Sequence, residues 1–283
     1  MQISAHGVAI EVDDQGPMSG PVVLLIQGLG MQLTDWPQAL VDDLVGRGHR
    51  VLRFDNRDAG LSQGFDATAL AAGLAYTLSD MVQDALGVLD ALGVARAHVV
   101  GASMGGMIAQ RLAAAHPGRV ASLTLVMTTA GARGLPAPTP QALATLSARP
   151  EGSAIDQLAQ HMVRSFGVLG SPAYAPEPPA FMAHWQRQVQ RAWRPQGTAR
   201  QMAAVMADGD RTPLLARITA PVHIIHGDAD PLVPVAAAEH LARHLPGSTL
   251  DIIPGMGHDF PLPLMPRWAA GIAANAARPG AAR

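Results

Sequence analysis

Apolar residues in this chain cluster in short unbroken runs, and the segments between them carry apolar residues at helical spacing. Pro21-Val22-Val23-Leu24-Leu25-Ile26, His49-Arg50-Val51-Leu52-Arg53-Phe54, Ala97-His98-Val99-Val100, residues 120–127 and Pro221-Val222-His223-Ile224-Ile225-His226 have the length of strands. Most show little polar alternation, which predicts strands buried on both faces. Thr249-Leu250-Asp251-Ile252-Ile253 predicts a last strand, and residues 2–12, which alternate loosely before Asp13-Asp14-Gln15-Gly16-Pro17, predict an edge hairpin. Helices are expected over 35–45, with Trp36 and Pro37 in the first turn, over 79–92 with Ser79 or Asp80 as cap, from just after Ser103 to His116-Pro117-Gly118, over 235–245 and over 262–274. The alternation of β and α implies an α/β fold: a mostly parallel sheet flanked by helices. From Ala130 the pattern changes. A Gly- and Pro-rich stretch leads into helical pieces that run to about residue 211 without a strand, so residues 1–130 and 213–283 are expected to form the core around a helical insertion, 131–212. Residues 277–283 are expected to fray.

Composition then removes several kinds of chemistry. There is no cysteine and every basic residue is arginine, which excludes thiolate catalysis, lysine Schiff bases and Ser-x-x-Lys pairs. A net charge of −2 with 15% charged residues leaves no basic patch for nucleic acid. The apolar runs are too short to span a membrane, and Met1-Gln2-Ile3-Ser4-Ala5-His6-Gly7 lacks the features of an export signal, so a soluble cytoplasmic protein is expected.

One stretch carries a chemical signal: Gly101-Ala102-Ser103-Met104-Gly105-Gly106 lies between a buried strand and an amphipathic helix. A strand-to-helix turn this tight has no room for a Cβ two residues either side of its apex, and it pushes the apical serine out of the sheet. The N–H of Met104, at the start of the helix, is free to meet negative charge on a bound carbonyl. A serine hydroxyl needs a base, and the base needs an orienting carboxylate. Two later loops supply them from the same carboxyl edge of the sheet: Gly227-Asp228-Ala229-Asp230 and Gly255-Met256-Gly257-His258. Ser103, Asp230 and His258 are the candidate nucleophile, acid and base. Asp228 and His226 are the rivals, Asp228 reading better as a residue that secures its turn. His223, His226, Asp228 and Asp230 have a spacing conceivable for a metal, but positions 223 and 226 point to opposite faces of a strand, so no metal site is expected. Gln27-Gly28-Leu29-Gly30 ends the first buried strand and offers Leu29 N–H as a second oxyanion donor. The same glycines do not complete a dinucleotide fingerprint, because position 33 is leucine.

Together with the turn Asp55-Asn56-Arg57-Asp58, these motifs resemble the α/β-hydrolase family, in its carboxylesterase and aclacinomycin methylesterase type members. The resemblance implies that Ser103, Asp230 and His258 form a triad, that Leu29 and Met104 form the oxyanion hole, and that the insertion is a lid. Many members have His at the position of Gln27 and Gly at that of Asp58. The implied activity is hydrolysis of a small or medium carboxylic ester through an acyl-enzyme, with no cofactor. Trp36, Phe166, Phe181 and Trp185 are the candidate walls of an apolar substrate pocket, although each such aromatic fits the insertion's own core more readily than a ligand contact. A perhydrolase or haloperoxidase-like enzyme, a C–C bond hydrolase and an acyltransferase use the same triad. A ligand sensor on the same fold would not need it.

Overall fold

The computed structural model describes residues 1–65 and 75–279. Its centre is an eight-stranded sheet in the order β1-β2-β4-β3-β5-β6-β7-β8. The strands are β1 (Gln2–Ala5), β2 (Val8–Gln15), β3 (Val22–Ile26), β4 (Arg50–Phe54), β5 (Ala97–Ala102), β6 (Val120–Val126), β7 (Val222–Gly227) and β8 (Thr249–Ile253). From β4 to β8 all pairings are parallel, and β2 is antiparallel to both neighbours. β1 and β2 form the expected hairpin through His6 and Gly7, both at positive φ, the backbone of a two-residue turn matched to strand twist. β2 runs three residues further than its sequence suggests. The acidic pair that reads as a break is neutralised by the next strand: Asp13 accepts from Arg53 at 2.7 Å, and Asp14 accepts from Arg50 at 2.6 and 2.9 Å.

The two faces of each buried strand feed different cores. Leu24 and Ile26 of β3 join the layer that holds Leu78, Val88, Ile108, Leu112 and Leu241, whereas Val23 and Leu25 join the layer that holds Leu40, Leu44, Trp268 and Ile272. The first layer is covered by α2 (Leu78–Ala91), α3 (Met104–Ala115) and α9 (Ala236–His244), the second by α1 (Gln38–Gly46) and α10 (Met265–Ala276). The starts of α1 and α2 differ from expectation. Pro37 disfavours helical backbone at the residue before it, so Trp36 is extended and α1 begins at Gln38. At α2 the cap is Thr77, whose hydroxyl accepts from Asp80 N–H while the Asp80 carboxylate accepts from Thr77 N–H. Arg278 is tied to the carbonyls of Val222 and Gly247 at 3.1 and 2.6 Å, so the chain stays anchored past α10; residues 280–283 of the expected frayed tail lie outside the described residues.

Between β6 and β7 run α4 (Pro140–Ser147), α5 (Ile155–Leu169), α6 (Pro178–Arg191), α7 (Pro195–Asp208) and α8 (Thr212–Leu215). No described helix is long and apolar enough to cross a membrane. Strand order reverses between β3 and β5, because the chain leaves β3 toward β4 on one side and returns to β5 on the other. Such a reversal opens a crevice at the carboxyl ends of the two strands. There the loop after β3 faces the turn after β5.

One buried ion pair holds α2 to the loop after β4. Arg57 donates to both oxygens of Asp84 at 2.6 and 2.7 Å, both side chains are buried, and the guanidinium also lies 5.1 Å from the ring centres of Phe65 and Tyr76. Removing one partner leaves an uncompensated charge. Asp84→Ala is expected to lower stability by about 3–5 kcal/mol, read from urea unfolding, whereas Asp43→Ala, at a half-buried surface position where only an i,i+4 pair with Arg47 is lost, should change it little.

Candidate functional site

The turn after β5 places Ser103 at φ 52° and ψ −118°, a backbone that L-residues avoid. The surroundings hold it there. Ser103 N–H donates to Val126 C=O at 3.0 Å, and Thr128 Oγ1 donates to Ser103 C=O at 2.7 Å. The flanking glycines are sterically required: a Cβ on Gly101 would stand 2.3 Å from Gly105 O, and one on Gly105 would stand 2.0 Å from Ile26 O. The hydroxyl of the half-buried Ser103 lies 3.0 Å from His258 Nε2.

His258 and Asp230 come from the loops after β8 and β7. His258 Nδ1 is 2.7 Å from Asp230 Oδ2, and Asp230 Oδ1 accepts the N–H groups of Leu232 and Val233 at 2.9 and 2.8 Å. Burial by itself would raise the Asp230 carboxyl. The charge and hydrogen bond of His258, with the Val233 N–H, outweigh it and hold the group below the usual carboxylate range. With Asp230 accepting from Nδ1–H, Nε2 is the ring nitrogen left to take the serine proton. The rivals sit elsewhere. Asp228 accepts from Gly255 N–H at 2.7 Å and so ties its turn to the loop after β8. His226 is fully buried, with Nε2 2.7 Å from Val233 O and 3.6 Å from Asp230, and burial pushes its pKa down. His223 faces Thr249 Oγ1 at 2.8 Å.

The loop after β3 runs beside the serine: a Cβ on Gly28 would lie 3.3 Å from Ser103 Cβ. Among the described residues neither Leu29 N–H nor Met104 N–H has a hydrogen-bond partner. Gln27 uses its side chain to accept from Gly28 N–H at 2.9 Å, and Asn56 Nδ2 donates to Gln27 C=O at 2.9 Å.

The helices between β6 and β7 grip this centre from two sides. At the C-terminal end of α5, Leu169 C=O accepts from His258 N–H at 2.7 Å. Ser171 N–H and Oγ donate to Asp259, and Ser171 Oγ accepts from Gly257 N–H at 2.8 Å. Burial pushes the Asp259 carboxyl above its ordinary range against the pull of these donors. On the other side, α6 and α7 meet the loops after β3 and β4. Arg191 donates to Gln32 at 2.7 Å and pairs with Asp55 at 2.8 Å, and Arg200 binds both oxygens of Asp58 at 2.7 Å. Asp58, at φ 68°, also accepts from Phe65 N–H and Tyr76 OH. Neither Ser171 nor Arg200 carried a signal in the sequence; Asp259, adjacent to His258, could have drawn attention as a polar residue beside a candidate base.

The candidate pocket aromatics separate into two groups. Trp36 is fully buried in the second core layer, edge-on to Phe260 at 5.0 Å, so it packs the fold rather than lining an open cleft. Its extended backbone ahead of Pro37 sets it there. Phe166, Phe181 and Trp185 form one cluster, with Phe166 stacked on Trp185 at 4.8 Å and Phe181 edge-on to it at 6.0 Å. The cluster lies between the two grips: Phe166 is just before the turn that holds His258, and Trp185 is flanked on α6 by His184, 3.2 Å from Asp35, and by Gln188, which accepts from Thr34 Oγ1 at 2.6 Å.

The sequence signature described as alpha/beta hydrolase fold matches residues 21–263. The chain is similar to rhodomycin D methylesterase from Streptomyces sp. strain C5, with 31% identity over 92% of this chain and 91% of the relative. It is also similar to a putative carbamate hydrolase from Variovorax paradoxus, with 31% identity over 86% of each. Among solved structures, the enol-lactonase from Burkholderia xenovorans LB400 superposes with a TM-score of 0.79, at 23% identity, over 98% of this chain and 100% of that one. The last of these shares the fold, and the family match with the methylesterase likeness covers most of the sequence: the chain belongs to the alpha/beta hydrolase family.

Proposed function

We propose that the protein is a serine hydrolase that cleaves carboxylic esters of small to medium size through an acyl-enzyme. The observation that carries this reading is the continuous relay from Ser103 Oγ to His258 Nε2 at 3.0 Å and from His258 Nδ1 to Asp230 at 2.7 Å. The likeness to a methylesterase supports an ester as substrate and a small alcohol as its leaving group.

In the first step Ser103 Oγ attacks the ester carbonyl as its proton passes to His258 Nε2. The carbonyl oxygen becomes an oxyanion, received by Leu29 N–H and Met104 N–H, the latter at the positive end of α3. Asp230 accepts from Nδ1–H, keeps the ring oriented and favours the imidazolium. Collapse of the tetrahedral species returns the carbonyl, and the departing alkoxide takes the proton from Nε2. Water then gives a proton to His258 and attacks the acyl group, and a second collapse frees the carboxylic acid and restores Ser103 Oγ–H. Every proton moves through one nitrogen. Residues 131–212 act as the lid in this reading, and Phe166, Phe181 and Trp185 supply its apolar surface for the acyl part.

Nitrophenyl esters from acetate to long acyl chains provide the first test, with peroxide in place of water as a second acceptor. Turnover should be highest for short to medium chains in water, and Ser103→Ala should lose at least about a thousandfold in kcat. Retention of activity in that variant removes the proposal, and faster turnover with peroxide redirects it to a perhydrolase. The acid is tested separately by pre-steady-state acylation. Asp230→Asn should slow acylation by about ten-thousandfold, the scale of a lost tautomer. Asp228→Asn keeps an oxygen for Gly255 N–H and should acylate near the parent's rate; the reverse ranking would exchange the roles of the two residues.

A further inference from the structure

Besides the contacts of α6, the helices between β6 and β7 reach the loop after β3 through a fully buried side chain, Gln201 of α7. Its Oε1 accepts from Gly30 N–H at 2.7 Å, and its Nε2 donates to Arg57 C=O at 2.7 Å. Both polar ends are thus engaged, and the loops after β3 and β4 are tied together. The turn it grips is otherwise closed on itself. Gly28 N–H donates to the Gln27 side chain at 2.9 Å, and Met31 N–H donates to Gly28 C=O at 3.3 Å. With Gly30 N–H held by Gln201, the N–H groups at 28, 30 and 31 are all committed, and Leu29 N–H alone has no partner among the described residues.

The fit of α7 against this turn is close. A Cβ on Gly30, which sits at φ 69°, would stand 2.7 Å from Thr198 Oγ1. A Cβ on Gly197 would stand 2.1 Å from Asp58 C=O, and Arg200 clamps the Asp58 carboxylate from the same helix. Helix position and turn conformation are therefore coupled. Rotation of the peptides around Leu29 breaks the Gly30 bond or drives the turn into Thr198.

We propose that Gln201 is a positioning residue for the oxyanion site: from outside the sheet it holds the 28–31 turn in the form that leaves Leu29 N–H free beside Ser103, so that α7 in place and a working oxyanion site are one arrangement. The proposal rests on the serine-hydrolase reading above. It assigns to the helical insertion a part in transition-state stabilisation, in addition to covering the substrate. Gln201 touches no reacting atom.

Two near-isosteric variants test it. Gln201→Met removes both hydrogen bonds. Gln201→Glu, when neutral, can accept from Gly30 and donate to Arg57, but when ionised it faces the Arg57 carbonyl without a donor. For each, kcat and KM are measured with 4-nitrophenyl butyrate, thermal unfolding is recorded, and amide hydrogen exchange is followed in peptides spanning 27–33 of the unliganded protein. The expected result for Gln201→Met is a fall in kcat of about tenfold to a hundredfold, the scale of a misplaced catalytic group, with KM nearly unchanged, as for an interaction used only in the transition state. Exchange across 27–33 should quicken. For Gln201→Glu, kcat relative to the parent at the same pH should rise as pH falls from about 8 to about 5.5, where a buried carboxyl gains its proton. The proposal is overturned if folded Gln201→Met keeps kcat within about twofold of the parent, an effect below what a displaced donor produces, or if exchange across 27–33 does not change. Absence of Ser103-dependent ester turnover in the parent would instead end the hydrolase reading, and the exchange measurement would then decide by itself whether Gln201 holds the turn.

Discussion

The backbone of Ser103 is the constraint on which the rest of the structure depends. A residue with a Cβ adopts φ 52° only where neighbours make every alternative worse, and here the last residue of β6 and the loop just after it supply the restraints, Val126 C=O and Thr128 Oγ1. The strain is tolerable because β5 and β6 are central parallel strands whose register is fixed on both sides. The same turn starts α3, so one local distortion sets the exposure of the hydroxyl and the direction of the first helical N–H groups. The crevice between β3 and β5 follows from strand order and gives the distortion a place to face.

Around that point the protein is held by arginine. Arg50 and Arg53 extend β2 along the sheet, Arg57 fastens α2, and Arg191 and Arg200 fasten α6 and α7 to the loops after β3 and β4. A planar guanidinium binds a carboxylate through two parallel bonds and keeps its charge at every pH the protein meets, which suits buried and half-buried pairs better than an ammonium does. Asp55 shows the cost of such placement. Burial pushes its carboxyl up even with Arg191 beside it, and the N–H groups of Leu33 and Leu61 complete its solvation.

What could be read from the chain was what the chain encodes locally. Gly101, Ser103 and Gly105 lie within five residues, and the strand that precedes them and the helix that follows are each visible as a hydrophobic period, so the turn was legible. The loops carrying Asp230 and His258 were legible because they end strands of a parallel sheet, which fixes the edge at which they emerge. At the start of α1, helical spacing at Trp36 hides the veto of Pro37, and the α2 cap is hard to see because Thr77 and Asp80 act as a pair across three residues. The contacts of the insertion were not legible at all. Gln201 and Gly30 are 171 positions apart and Ser171 and Asp259 are 88 apart, and nothing in either neighbourhood marks the partner.

The two anchorages of the segment between β6 and β7 bear on how the space above Ser103 can open. The C-terminal end of α5 is bonded to the chain around His258, and α7 to the chain around Gly30. Swinging the segment away as a single flap would pull on the chain around His258 and on the turn after β3 together, and the arrangement beneath would come apart. Between the two moorings lies the Phe166, Phe181 and Trp185 cluster, so an opening that spares both has to part those rings. The stack of rings, rather than either mooring, is the hatch of this roof.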